Sequence, residues 1–88
     1  MRAFEGRVAK VVLYGSRARG DARPDSDWDI AVFLTGDPTR DDRHLLVDVG
    51  TDVLVDMGEV VQPLALAARR ADEDSYLMQA IRTEGIAL

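Results

Sequence analysis

The chain contains no cysteine, which excludes disulfides and thiolate zinc sites. It has no apolar run long enough to span a bilayer and no signal-peptide pattern, so residence in the cytoplasm and no membrane partner are the expectations. Basic residues are outnumbered, 11 Lys and Arg against 16 Asp and Glu, for a formal charge of −5. That balance disfavours extended, sequence-independent nucleic-acid binding, which depends on neutralising phosphates. Internal repeats and low-complexity tracts are also missing. Few residues precede the first apolar run, so any helix covering that side is expected to be absent or supplied by another molecule.

The 88 residues are expected to form one domain, residues 1–88. A chain of this size buries only about 60–65% of its unfolded surface. With 47% apolar residues, a thin core is possible, but little chain is left to recognise a second substrate. A partner chain or a very small acceptor is therefore expected, with a homo- or hetero-oligomer as the working form.

What is present is concentrated in one stretch. Val8 to Tyr14 is rich in β-branched residues and reads as a strand ending at Gly15-Ser16. Residues 15–27 read as a turn, at most one helical turn capped by Ser16, and a loop. Trp28 to Leu34 is a nearly continuous apolar run, as in a strand covered on both faces. Alternation puts Asp27, Asp29, Ala31 and Phe33 on one side, with Trp28, Ile30, Val32 and Leu34 on the other. Thr39 is a helix cap before Asp41 and Asp42, and Leu45, Leu46 and Val49 have helical spacing up to Gly50. Thr51 to Met57 reads as a third strand with Asp52, Leu54 and Asp56 on one face. Val60 and Val61 read as a short fourth strand. Residues 64–74 are ambiguous, and Ser75 to Thr83 is an amphipathic helix stopped by Gly85.

The chemistry follows from the residue types. A Gly-Ser turn after a strand offers backbone N–H groups and a hydroxyl to phosphate oxygens. Arg17, Arg19 and Arg23 gather beside it in an otherwise acidic chain, which suits a small anion. With ten residues between Ser16 and Asp27, Asp27 and Asp29 present two carboxylates from one side of a strand, and Asp29 interrupts an apolar run where an unpaired charge is costly. Paired cations held by two or three carboxylates stabilise entering and leaving oxygens in nucleotidyl transfer. The third ligand is expected from a neighbouring strand, where Asp52 stands. Other phosphate and metal motifs fail by register. Asp21 replaces the lysine of a Walker A loop, Ile30 and Gly36 break an EF-hand, and no G-x-G-x-x-G is present. Elsewhere, His44 reads as a surface residue, Trp28 and the Leu77, Met78 and Ile81 stripe as core, and Tyr14 and Tyr76 as packing residues rather than acceptors.

The stretch LYGSRARGDARPDSDWDIAVFL resembles the signature of the minimal nucleotidyltransferases of the polymerase-β-like superfamily: G-S, about ten residues, D-x-D, then a later carboxylate. The match is ungapped at Gly15, Ser16, Asp27 and Asp29. The resemblance implies an α/β (α+β) fold with a short mixed β-sheet flanked by helices. It implies two Mg²⁺ ions and ATP as substrate. Asp27 and Asp29 would hold both metals. Asp52 would hold the metal that activates the acceptor hydroxyl and take its proton, with Asp56 as its rival. Gly15, Ser16, Arg17 and Arg19 would bind the nucleotide. Many members of the family are antitoxins paired with a HEPN-type toxin, and some transfer AMP to it while others act by binding alone. An aminoglycoside-like small-molecule acceptor is a further alternative.

Overall fold

The computed structural model describes residues 6–88. The expectation that no covering helix precedes the first strand concerns residues 1–5, outside the described residues. Strand β1 (Val8–Tyr14) is followed by a single turn of helix, α1 (Ser16–Arg19). Strand β2 (Trp28–Leu34), helix α2 (Arg40–Met57) and strand β3 (Val61–Ala67) come next. A 3₁₀ helix (Ala68–Asp72), helix α3 (Tyr76–Glu84) and a two-residue strand β4 (Ile86–Ala87) complete the fold. The sheet order is β3-β2-β1-β4. β1 runs antiparallel to both β2 and β4, whereas β2 and β3 are parallel. The sheet is therefore mixed and flanked by helices, as the signature implied.

Parallel neighbours require a crossover, and α2 is that crossover. It covers the face carrying Val32, Leu34 and Ala65, against which Leu46 is buried. The opposite face carries Val12, Ala31, Phe33 and Leu66 and is closed by Met78 and Ile81 of α3. Alternation along β2 thus sends Leu34 to one layer and Phe33 to the other, both nearly inaccessible to solvent. The stripe Leu77, Met78 and Ile81 is core, as its spacing predicts.

Three expectations are corrected. Thr51 to Met57 is not a strand but the second half of α2. Its apparent alternation of Asp52, Leu54 and Asp56 is compatible with a helix whose inward stripe runs through Leu46, Gly50 and Val53. Gly50 is not a stop. A Cβ there would lie 3.4 Å from the Val61 carbonyl, so glycine lets the helix lie close to β3, and packing outweighs its helix penalty of about 1 kcal/mol. The helix ends at Gly58, at φ 71°, whose N–H donates to the Leu54 carbonyl. The third strand instead begins at Val61 and takes in only the first part of the ambiguous stretch, to Ala67, after which Ala68 to Asp72 form the 3₁₀ helix.

The N-terminus of α2 is tied to the start of β1. Thr39 caps the helix by accepting from the Asp42 N–H, and the Asp42 carboxylate accepts from the Thr39 N–H at 2.8 Å. The same carboxylate receives both Arg7 nitrogens, at 2.7 and 2.9 Å. These contacts, the Arg7 hydrogen bonds foremost, hold the Asp42 carboxyl far below the usual carboxylate range. A depressed native pKa stabilises the fold above the ordinary value of about 4, and that contribution is lost as pH falls from there toward the native value. Asp42→Asn is therefore expected to lower the urea midpoint at pH 7. It should also flatten the decline of stability between about pH 4 and pH 2, as followed by circular dichroism.

Candidate active site

The C-terminal end of β1 and the N-terminal ends of β2 and β3 meet at one end of the sheet. Tyr14 pairs with Asp29 across β1 and β2, and Asp29 pairs with Gln62 across β2 and β3. Further along, Ala31 pairs with Leu64 and Phe33 with Leu66. Those pairs belong to the layer under α3, so period-two alternation places Asp27, Asp29 and Gln62 on that same side.

Gly15 connects β1 to α1 at φ 78° and ψ −160°, a region open essentially to glycine alone. A Cβ at Gly15 would overlap Oδ2 of Asp29. The bare backbone therefore allows the turn to close over the carboxylate. The Ala18 and Arg19 N–H groups donate to the Gly15 carbonyl at 3.1 and 3.0 Å, which winds the turn so that its first amides have no partner within the helix. Donors and carboxylates are in this way brought side by side, as nucleotide chemistry requires.

The Asp29 carboxylate is electrostatically perturbed. Burial, then the neighbouring Asp27 charge, pushes the Asp29 carboxyl above its ordinary pKa, and only the charge of Arg19 opposes this. Asp27 receives a hydrogen bond from Gln62 Nε2 at 3.2 Å. Tyr14, half-buried beside Asp29, has its phenol pushed up by burial and then by that carboxylate. Two adjacent carboxylates fit a hard divalent cation, which supplies positive charge through oxygen ligands.

The arginines divide their roles. Arg17 is a strut for the loop. Its Nε and Nη2 donate to the Ser26 carbonyl at 3.3 and 2.9 Å, and Nη2 also reaches the Pro24 carbonyl at 3.3 Å. Its guanidinium lies 4.4 Å from the centre of the Trp28 ring, and Trp28 Nε1 donates to Glu59 at 3.1 Å. Trp28 is thus half-buried and clamped, rather than core as its register implied. Arg19 bonds Asp21 at 3.2 Å and Glu84 at 3.0 Å while remaining near Asp29. His44 is exposed, as expected. Tyr76 does not pack at all: it is 94% exposed.

Asp52 does not join Asp27 and Asp29. It lies exposed on α2, the helix that covers the other face of the sheet, and Asp56 follows it there. No group of three His, Cys, Asp or Glu among the described residues is placed to hold a metal. The position expected to carry a third acid on a neighbouring strand is filled by Gln62. Nothing in the residue pattern alone marked Gln62, because it became adjacent to Asp29 only once β3 was placed at Val61.

A mixed sheet with a Gly-Ser turn closed over an Asp-x-Asp pair defines the nucleotidyltransferase class. The family model described as polymerase beta, nucleotidyltransferase matches residues 3–88, and the chain belongs to that family. A Methanocaldococcus jannaschii protein, named as a candidate protein adenylyltransferase, is 36% identical over 61 residues, 69% of this chain and 56% of that protein. A crystal structure of a toxin–antitoxin with AMP-PNP superposes with a TM-score of 0.71 at 20% identity, over 98% of this chain and 64% of that one. A mutant of the MntA–HpeT toxin–antitoxin superposes at 0.70 and 19% identity, with the same coverage. The chain thus spans between about half and two thirds of the length of these proteins.

Gly15→Ala tests the turn directly. It is expected to cost about 1–3 kcal/mol from the backbone region alone and, by displacing Asp29, to abolish AMP-PNP binding even where the variant remains folded. Urea titration and calorimetry read the two effects separately.

Proposed function

We propose that the chain transfers a nucleoside monophosphate, AMP from ATP, to a hydroxyl of a partner protein, and does so as the antitoxin of a toxin–antitoxin pair with a HEPN-type toxin. The observation that carries this is the Gly15 turn closed over Asp29 with Asp27 alongside. The names of the relatives, a candidate protein adenylyltransferase and toxin–antitoxin pairs, support the choice of acceptor and partner. Asp27 and Asp29 would hold Mg²⁺, which when bound neutralises the triphosphate and the charge developing on the leaving oxygens. Ser16 and the first amides of α1 take the terminal phosphates, and Arg19 adds positive charge beside them. In the transfer, the acceptor oxygen bonds to the α-phosphorus and the bond from that phosphorus to the β-phosphate bridging oxygen breaks. Pyrophosphate leaves, and the hydroxyl proton passes to water.

One observation favours a second role. Gln62, not an acid, bonds Asp27, and among the described residues no group of three acids is placed together. No third carboxylate is therefore grouped with the pair to serve as a base, which favours neutralising the toxin by binding alone. The two separate cleanly. Incubated with α-labelled ATP, Mg²⁺ and the toxin encoded beside it, the chain is expected to label the toxin. An Asp27→Asn/Asp29→Asn double variant should reduce labelling by at least about 10²-fold, the scale of losing charge stabilisation in the transition state. Labelling no greater than that of the double variant, with toxin neutralisation intact in both, would establish the binding role instead.

A further inference from the structure

Gln62 is a side chain at this end of the sheet whose chemistry departs from what paired-cation transfer requires. It pairs in register with Asp29 and donates Nε2 to Asp27 Oδ2 at 3.2 Å. A carboxylate oxygen accepts only, so this amide turns its NH₂ toward Asp27 and has only a neutral carbonyl oxygen, not a carboxylate, to offer a cation. It also carries no charge. Asp27 and Asp29 together supply two negative charges, enough to balance one divalent ion. A second ion about 3.5–4 Å from the first would face cation–cation repulsion with no carboxylate of its own. Affinity for hard cations follows ligand charge and count. Asp52 and Asp56, the acids expected as third ligand, sit on the helix across the sheet, while Glu59 is engaged by Trp28 and Glu84 by Arg19. Among the described residues no group of three acids is placed to hold a metal.

We propose that this is a one-cation site, in which Asp27 and Asp29 hold the ion that accompanies the triphosphate and Gln62 leaves the acceptor side without an ion. This rests on the nucleotide-binding role proposed above. It goes further in assigning Gln62 as the residue that sets the number of ions. The acceptor hydroxyl then meets the α-phosphate without a metal to lower its pKa, so deprotonation falls to water or to a group on the acceptor.

Equilibrium dialysis of the full chain against Mn²⁺ and AMP-PNP, counting ion and nucleotide retained per chain, tests this without turnover. The wild type is expected to retain one ion with one nucleotide. Gln62→Asp and Gln62→Glu, checked for folding by circular dichroism, are expected to retain two ions, or to bind the second at least tenfold more tightly than the wild type. Two ions in the wild type would overturn the one-cation assignment while leaving nucleotide binding intact. One ion in both folded variants, with no gain in affinity for a second, would overturn the role of position 62. Retention of neither ion nor nucleotide by the wild type would instead remove the nucleotide-binding role itself. The wild-type count decides the matter where a variant fails to fold.

Discussion

The close approach of the Gly15 backbone to the Asp29 carboxylate is the constraint on which the site depends. It requires a residue without a Cβ at φ 78°, and it requires a charged residue to persist in a strand whose next five positions are apolar. Neither condition benefits packing. Glycine surrenders chain entropy, and Asp29 bears the burial and the like charge of Asp27 that raise its pKa. A partly buried, like-charged carboxylate under a bare backbone turn suits a site for a cation, which relieves the unfavourable charge.

Around that point the structure is a support. The loop between α1 and β2 is irregular in sequence but firmly tied: Arg17 binds two of its carbonyls and stacks on Trp28, and Ser26 Oγ accepts from the Arg23 N–H at 2.8 Å. Beneath, α2 and α3 close opposite faces of one sheet, so displacement of β2 would disturb both core layers. The Asp42–Arg7 pair joins the start of the crossover helix to the start of β1. It lies at the opposite end of β2 from the aspartates, where Leu34 pairs with Val8. Of two clefts, of about 330 and 310 Å³, neither is lined by Gly15, Asp27 or Asp29, and the smaller reaches Gln62.

Much of this was legible in the residues. β1 and β2 were marked by β-branched and apolar runs, and the faces of β2 by alternation. α3 was marked by its stripe, and the Gly-Ser and Asp-x-Asp pairs by register. The region between Thr51 and Ala67 was not legible, for a physical reason. Asp52, Leu54 and Asp56 alternate as a strand would, but the same residues suit an exposed helical face. What decides between them is the docking of Gly50 against β3, a tertiary contact with no local signature. That shift moved the third strand ten residues along. It removed Asp52 from the site and brought in Gln62, whose amide has no acidic pattern to betray it. Tyr76 shows the same limit: an aromatic beside an apolar stripe looked like packing, yet it falls at the exposed start of α3.

A crystal grown with AMP-PNP and Mn²⁺, with data collected at the manganese edge, tests the central claim most directly. A single anomalous peak is expected within coordination distance of both Asp27 and Asp29, with the terminal phosphates against Ser16 and the first amides of α1. A nucleotide seated in either cleft, or manganese bound without those two aspartates, would contradict it.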